Sequence, residues 1–421
     1  PIPVIHCADC GEVVVADDQQ KADTGRQAVE RLLKRDRVDV MTGIVFSNVL
    51  LPVMPAILQS GTIYLSTNTG PENYAGAGCN PNFFAVAWQN EDIPAAMGKY
   101  AADQGYKRVA LIAPDYPGGR ESLNGFKRLY KGGLSEEIYT QLGQLDYGVE
   151  ITRLRASKPD AVFFFLPGGM GINFVKQFVS TGLSQSVKLI GPGFSADEDV
   201  IQAVGDPMLG MYNTAQWAHD LDVPQNKAFV EAFRKEYNGR YPSVYAAQSY
   251  DVIMAMDAAV KQAGGKASDR AAIIKALEKA DYPSVRGSYT YGKNHYPIQA
   301  YYLRVVEKDG SGRVTNKLVE YCAGISPLHD AREYDAVVAS GEQVTSGLTA
   351  LGHMAGERRR DGSRSGLRRV ADMVQVPAAF LGAGMSTYTA ALLSATSTPL
   401  WAAAPRAMAV QFGTSAMATA A

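Results

Sequence analysis

Residues 38–71 read VDVMTGIVFSNVLLPVMPAILQSGTIYLSTNTGP. An apolar run at 38–42 leads through Gly43 to a small hydroxyl, Ser47, where a helical apolar pattern begins and continues to Gln59. A second run at 62–66 ends in Thr67-Asn68-Thr69-Gly70-Pro71. Both runs are short, β-branched or aromatic, and lack polar alternation, which suits parallel strands covered on both faces. Strand, helix and strand in this order form a βαβ unit with a right-handed crossover.

The pattern repeats outward in both directions. Strand-like runs at 12–16, 108–113, 161–166 and 188–191 alternate with helical patterns at 24–35, 91–104, 121–130, 172–181, 227–237, 244–262 and 269–279. In 24–35 the apolar residues Ala28, Val29, Leu32 and Leu33 share one face, with Arg and Glu opposite. At least three units precede Pro114 and three follow it, so the chain is α/β with two Rossmann-like lobes. Residues 287–321 turn β-rich and antiparallel, with a hairpin at 309–312.

Composition sets limits on function. The 421 residues are 46% hydrophobic and 20% charged, enough apolar content for a large core and too much for wholesale disorder. A net charge of -1 argues against a general nucleic-acid binder, which needs positive charge to neutralise phosphates. Four cysteines do not make a disulfide scaffold. Pro1 leads almost directly into a strand-like run, with no basic-plus-apolar signal segment, so the start reads as processed or truncated.

In open α/β sheets ligands sit at the carboxyl ends of the strands. Those ends here carry Ser47, Thr67-Asn68-Thr69, Asp115-Tyr116, Gly168-Gly169-Met170-Gly171 and Gly193-Phe194-Ser195. Small hydroxyls, amides, glycines and aromatics dominate, and no nucleophile–base pair or metal cluster stands among them. Such loops can hold a carboxylate through hydroxyls and helix N-termini and cover an apolar group with rings. Singly, Ser47, Asn68 and Ser195 also read as helix caps or turn residues.

The segments VVVADDQQKADTGRQAVERLLKRDRVDVMTG, FSNVLLPVMPAIL, TIYLSTNTGPENYAGAGC, NFFAVAWQNEDIPAAMGKYAADQGYKRVALIAPDYPGGRESLNGFKR, ITRLRASKPDAVFFFLPGG and YAAQSYDVIMAMDAA carry a resemblance. Over residues 12–325 the chain resembles the type I periplasmic substrate-binding proteins of ABC importers, the group that includes the leucine/isoleucine/valine-binding proteins. The resemblance implies two lobes closing on a ligand through hinge crossings, no cofactor, no catalysis, and delivery of a small molecule to ABC permease subunits outside the cytoplasm. It implies a first lobe of residues 1–114 and 246–290 and a second of 115–245 and 291–325. It assigns ligand contacts to Ser47, Asn68, Thr69 and Tyr116, and from the second lobe to Gly168, Phe194, Gln216 and Tyr250.

Two departures from that family stand out. Only PIPVIHCADCG precedes the match, where the family has a first strand, a ligand-contacting loop and a helix. That strand is central in its sheet, so its loss predicts two unpaired strand edges. The family's amino-acid binders also present a second-lobe acid to the ligand ammonium. None occurs in 191–195, which leaves room for other small carboxylates.

The remaining signals are weaker. Cys7 and Cys10 have C-x-x-C spacing without a second pair, and Cys79 with Cys322 could bridge in an exported domain. The glycines at 168–171 faintly resemble a dinucleotide loop, but Phe174 stands where the third glycine belongs. This leaves an enzyme on a two-lobed scaffold as an alternative, and a tethered ligand-sensing domain as another. Beyond Lys317 the composition breaks: six Arg fall within 358–369, and 373–405 carries no charge. Residues 326–372 read as an Arg-rich linker with a joined reading frame near 326–340, and 373–421 as an apolar helical tail. Within it GMSTYTAALLSATSTPLWAAA resembles a transmembrane segment of polysulfide-reductase-type membrane subunits, the alternative being an Ala-rich low-complexity tail.

Overall fold

The computed structural model describes residues 4–7, 11–322 apart from residue 267, and 370–372. Two sheets organise it. The first contains β1 (Val4–Cys7), β2 (Gly11–Val15), β3 (Val40–Thr42), β4 (Ile63–Ser66), β5 (Phe83–Ala85) and β15 (Val370–Asp372), in the spatial order β1-β2-β15-β3-β4-β5. All pairs are parallel except β1 with β2. The second contains β6 (Arg108–Pro114), β7 (Gly133–Thr140), β8 (Ala161–Phe164), β9 (Lys188–Pro192), β10 (Tyr212–Ala215), β13 (Tyr302–Lys308) and β14 (Val314–Tyr321). Its order is β14-β13-β10-β9-β8-β6-β7, with only β13 and β14 antiparallel to their neighbours. A small ribbon pairs β11 (Thr290–Tyr291) with β12 (Pro297–Ile298).

The helices are α1 (Ala22–Arg31), α2 (Ser47–Gln59), α3 (Glu72–Ala75), α4 (Asp92–Asp103), α5 (Pro117–Leu129) and α6 (Gly148–Ser157). They continue as α7 (Gly169–Ser180), α8 (Glu198–Val204), α9 (Pro224–Glu236), α10 (Val244–Gln262) and α11 (Arg270–Leu277). The unbroken apolar strands are explained by helices on both faces. In β4, Ile63 and Leu65 pack with Val252, Met256 and Ile273 of α10 and α11, while Tyr64 points the other way to Val49, Val53 and Ile57 of α2. In β6, Ala110 and Ile112 face Leu154 and Phe174, and Leu111 faces Phe126. Burying a side chain of this size contributes roughly 1.5–3 kcal/mol.

Three features differ from the sequence expectations. The edges of β2 and β3 are not unpaired: β15 lies between them, with Val370 opposite both Val13 and Val40, and Asp372 opposite Val15 and Thr42. Two parallel edges one strand apart offer donors and acceptors on both sides, which a strand from elsewhere in the chain can satisfy. The lobe boundary at 114 also moves. β6 belongs to the second sheet, and α4 packs with it: the Thr214 hydroxyl donates to Ile93 O at 2.8 Å, and Arg128 pairs with Asp92 at 2.9 Å. The chain therefore first crosses between β5 and α4, returns within α10 between Tyr250 and Val252, and crosses again after β12. Up to that point it stays on the first lobe, since His295 stacks on Phe84 at 4.0 Å and Tyr296 on Phe83 at 5.8 Å. Finally, Cys79 and Cys322 form no bridge: both are free thiols.

A buried cluster joins the crossings. Arg286 donates from Nε to Asp251 Oδ2 of α10 at 2.9 Å, and from Nη1 to Ala87 O at 3.1 Å and to Gln299. Gln299 Nε2 donates to the same Ala87 carbonyl at 2.7 Å. Among the described residues no helix is long and apolar enough to cross a membrane. The apolar tail at 373–421, the reading-frame junction near 326–340 and Cys10 lie outside the described residues. Of the proposed linker only 370–372 is described, and it is the strand β15.

Candidate functional site

Between the lobes lies a cleft with about 530 Å³ of empty space, open solvent included. Its first-lobe wall is built by the loops after β3, β4 and β5. Ser47 opens α2, where the Val49 and Leu50 N–H groups donate to Phe46 O and the helix dipole favours an anion. Its Oγ lies 2.6 Å from Thr69 Oγ1. Asn68 Nδ2 donates to Val45 O at 2.8 Å, joining the β3 and β4 loops.

Gly70 sets the depth of this wall. A Cβ there would fall 1.8 Å from Trp88 O, so only glycine lets the β4 loop meet the first crossing. The contact is sealed by Gly70 N donating to Asn90 Oδ1 at 2.8 Å and Asn90 N to Gly70 O at 2.9 Å. Asn90 Nδ2 is thereby held 3.4 Å from both Ser47 Oγ and Thr69 Oγ1, while donating to Glu121 Oε2 at 2.6 Å.

The rest of the lining is aromatic and comes from both lobes. Trp88 and Phe194 have centroids 4.6 Å apart, Phe165 and Phe194 5.8 Å, and Phe46 and Tyr116 5.9 Å. Tyr245, from the first turn of α10, completes the lining, with Gly118, Ser122 and Pro167. Ser122 Oγ and Asn68 Oδ1 are buried without a hydrogen-bond partner, polar atoms left for an occupant. Among the described residues no charged side chain lines the cleft. Burial pushes the Tyr116 and Tyr245 phenols well up, so both stay neutral donors. Glu121 stands one layer behind, and burial pushes its carboxyl up to about 7.

The structure brings Ser47, Asn68, Thr69, Tyr116 and Phe194 together around the cleft. Gly168 follows the lining residue Pro167 but is not itself part of the lining. Its φ of +64° and ψ of −133° explain the glycine as a backbone requirement at the head of α7. Gln216 follows β10, is buried, and does not line the cleft; neither side-chain polar atom has a partner. Tyr250 packs on Phe229 at 4.9 Å, in the second-lobe core. Five positions along a helix turn the side chain by roughly 140°, so Tyr245 and Tyr250 cannot face the same cleft.

Trp88, Asn90, Ser122, Phe165 and Tyr245 line the cleft but were not singled out from the sequence. Trp88 and Asn90 follow β5, a three-residue strand within the apolar run at 83–88 that was not read as a strand. Their signal was the neighbouring Asn-Thr-Gly loop, whose glycine demands a close partner. Among the described residues no group of His, Cys, Asp and Glu could hold a metal ion.

A family model described as periplasmic binding protein matches residues 12–311. The Leu/Ile/Val-binding protein homolog 6 of Brucella melitensis is 28% identical over 323 residues, covering 74% of this chain and 81% of that protein. Among solved structures, an R. palustris ABC-transporter solute binding protein in complex with benzoate matches with a TM-score of 0.70 and 27% identity, covering 75% of this chain and 86% of the other. A solute binding protein from Rhodopseudomonas palustris BisB5 in complex with 3,4-dihydroxy benzoic acid matches with a TM-score of 0.70 and 30% identity, covering 75% and 87%.

Proposed function

This chain belongs to the periplasmic binding protein family, and from that premise we propose that it captures a monocyclic aromatic carboxylate for an ABC importer. The observation that carries the reading is the cleft's division into two ends. One end presents Ser47, Thr69 and Asn90 at the head of α2; the other presents Trp88, Phe46, Tyr116, Phe165, Phe194 and Tyr245.

A carboxylate at the first end meets neutral donors and a helix N-terminus, an arrangement that holds an anion without a buried cation. A planar ring at the second meets tilted and stacked faces, which aromatic groups favour beyond simple burial. Branched aliphatic side chains would gain area there without the ring-to-ring geometry. The benzoate and 3,4-dihydroxy benzoic acid held by the two R. palustris proteins agree with this division. In this reading the lobes close over the ligand by hinge motion about the Ala87–Arg286–Gln299 cluster. The closed protein meets permease subunits at the periplasmic face, and no chemistry is performed.

Calorimetric titration and thermal shift against benzoate, hydroxybenzoates, leucine and valine test the assignment. A ligand at 100 times its dissociation constant adds about 2.7 kcal/mol of stability. Stabilisation by the benzoates and not by leucine or valine is expected. The reverse preference would overturn the aromatic reading and leave an amino-acid binder.

A further inference from the structure

We infer that Glu121 couples ligand capture to proton uptake: an anion binds the cleft while Glu121 takes one proton from solvent and stays neutral behind Asn90. The inference rests on the anionic ligand proposed above. Its geometric basis is a single amide. Asn90 Nδ2 donates to Glu121 Oε2 at 2.6 Å and is within 3.4 Å of Ser47 Oγ and Thr69 Oγ1. The carboxyl therefore sits one amide group away from the polar atoms that would hold the ligand's carboxylate. Gly118 and Ser122, its neighbours on α5, line the cleft directly.

The surroundings favour the neutral form. Glu121 is buried, and the titratable groups that face it are Glu91 from the head of α4 and Glu72 from α3. Tyr116, ahead of α5, and Tyr296, between β11 and β12, face it as well. Each is an acid or a phenol. Arg120, beside it on α5, reaches instead to Asp115 at the surface, 2.6 Å away. Burial, reinforced by the Glu91 and Glu72 charges and opposed by hydrogen bonds from Asn90 and the Glu72 backbone, pushes the carboxyl up to about 7.

A second negative charge entering a few ångströms away pushes it further in the same direction. The binding equilibrium then reads ligand anion, ionised Glu121 and one proton giving the complex with neutral Glu121. With a site ionising near 7 when empty and higher when filled, affinity is flat well below pH 7. It falls by up to about ten-fold per pH unit above it, by linkage. Oxygen-to-amide replacement in Glu121→Gln keeps an acceptor for Asn90 and removes the proton. That variant should keep the low-pH affinity across the range.

The test measures benzoate affinity of the parent and Glu121→Gln by calorimetry from pH 5.5 to 9, in buffers of differing ionisation enthalpy. It also measures urea stability of both without ligand over the same range. Expected are a parent affinity that declines through neutral pH with proton uptake, and a flat profile for Glu121→Gln. Without ligand, the parent should lose stability relative to Glu121→Gln as pH rises from 5.5 to 8, because the folded state holds a proton that the unfolded chain releases near 4.5. Benzoate binding that is pH-independent in the parent overturns the proposal. If benzoate binds at no pH, the ligand assignment fails and the unliganded comparison decides: diverging stability curves support the neutral Glu121, coincident curves overturn it.

Discussion

Replacing Arg286 with Met tests whether the hinge is held by a buried charge pair. Both partners are inaccessible, with side-chain exposures of 4% for Arg286 and 0% for Asp251. Met keeps most of the packed stem but deletes the bond to Asp251 Oδ2 at 2.9 Å, the bond to Ala87 O at 3.1 Å and the stacking over Tyr289 at 4.4 Å. Asp251 keeps two donors, Ser284 Oγ at 2.7 Å and Val285 N at 2.9 Å, but loses its opposite charge. Leaving one member of a buried pair costs about 3–5 kcal/mol. Urea denaturation at pH 7 should show that loss for Arg286→Met. In Arg286→Met/Asp251→Asn no uncompensated charge remains, so the double variant should recover at least half of it. A four-corner cycle isolates the pair, and the expected coupling is of order 2 kcal/mol. A single-variant loss below about 1 kcal/mol, or strict additivity, would refute the view that this pair ties the crossings together.

Further perturbations address the site and the sheet. Ser47→Ala should weaken benzoate binding by about 1–3 kcal/mol, read by calorimetry, with little change in stability, because a charge-assisted hydrogen bond is removed. Gly70→Ala should lower both ligand affinity and melting temperature, since its Cβ meets the Trp88 carbonyl at 1.8 Å and the backbone must move. The overpacking cost is roughly 1–3 kcal/mol. Ala371→Pro should destabilise the first lobe, measured as early loss of amide-exchange protection in β2 and β3. Proline removes an N–H from a strand paired on both sides.

The sheets were largely legible because strands buried on both faces leave unbroken apolar runs, as in Tyr64 and Leu65 of β4 or Leu111 and Ile112 of β6. The helix α2 was read to the residue despite Pro52 and Pro55, since its apolar stripe outweighs them. β5 was missed although it opens the apolar run at 83–88, and the first crossing with its Trp88 and Asn90 was missed with it. β7 also went unread: as an edge strand it carries Ser135, Glu136 and Glu137 and buries only Ile138 and Thr140. The polar end of the cleft was read from local loops, because Ser47, Asn68 and Thr69 lie at two strand ends of one βαβ unit. The aromatic end required side chains from both lobes, whose meeting depends on hinge geometry that no local pattern encodes.

That division has a physical consequence for how such a cleft works. The groups readable from sequence are those fixed by the rigid first lobe: two hydroxyls 2.6 Å apart and the Asn68 amide tied to Val45 O, preorganised before any ligand arrives. The groups contributed across the hinge are rings, which gain little until closure removes water from both faces. Polar recognition can therefore precede closure, and ring burial can drive it. Placing ionisable groups one layer back, Glu121 behind Asn90 and Asp251 with Arg286 at the crossings, avoids burying a fixed charge against the ligand. A lining Arg in place of Asn90 would bind a carboxylate more tightly through a bidentate pair. It would also resist release to a permease, which neutral donors at a closing hinge allow.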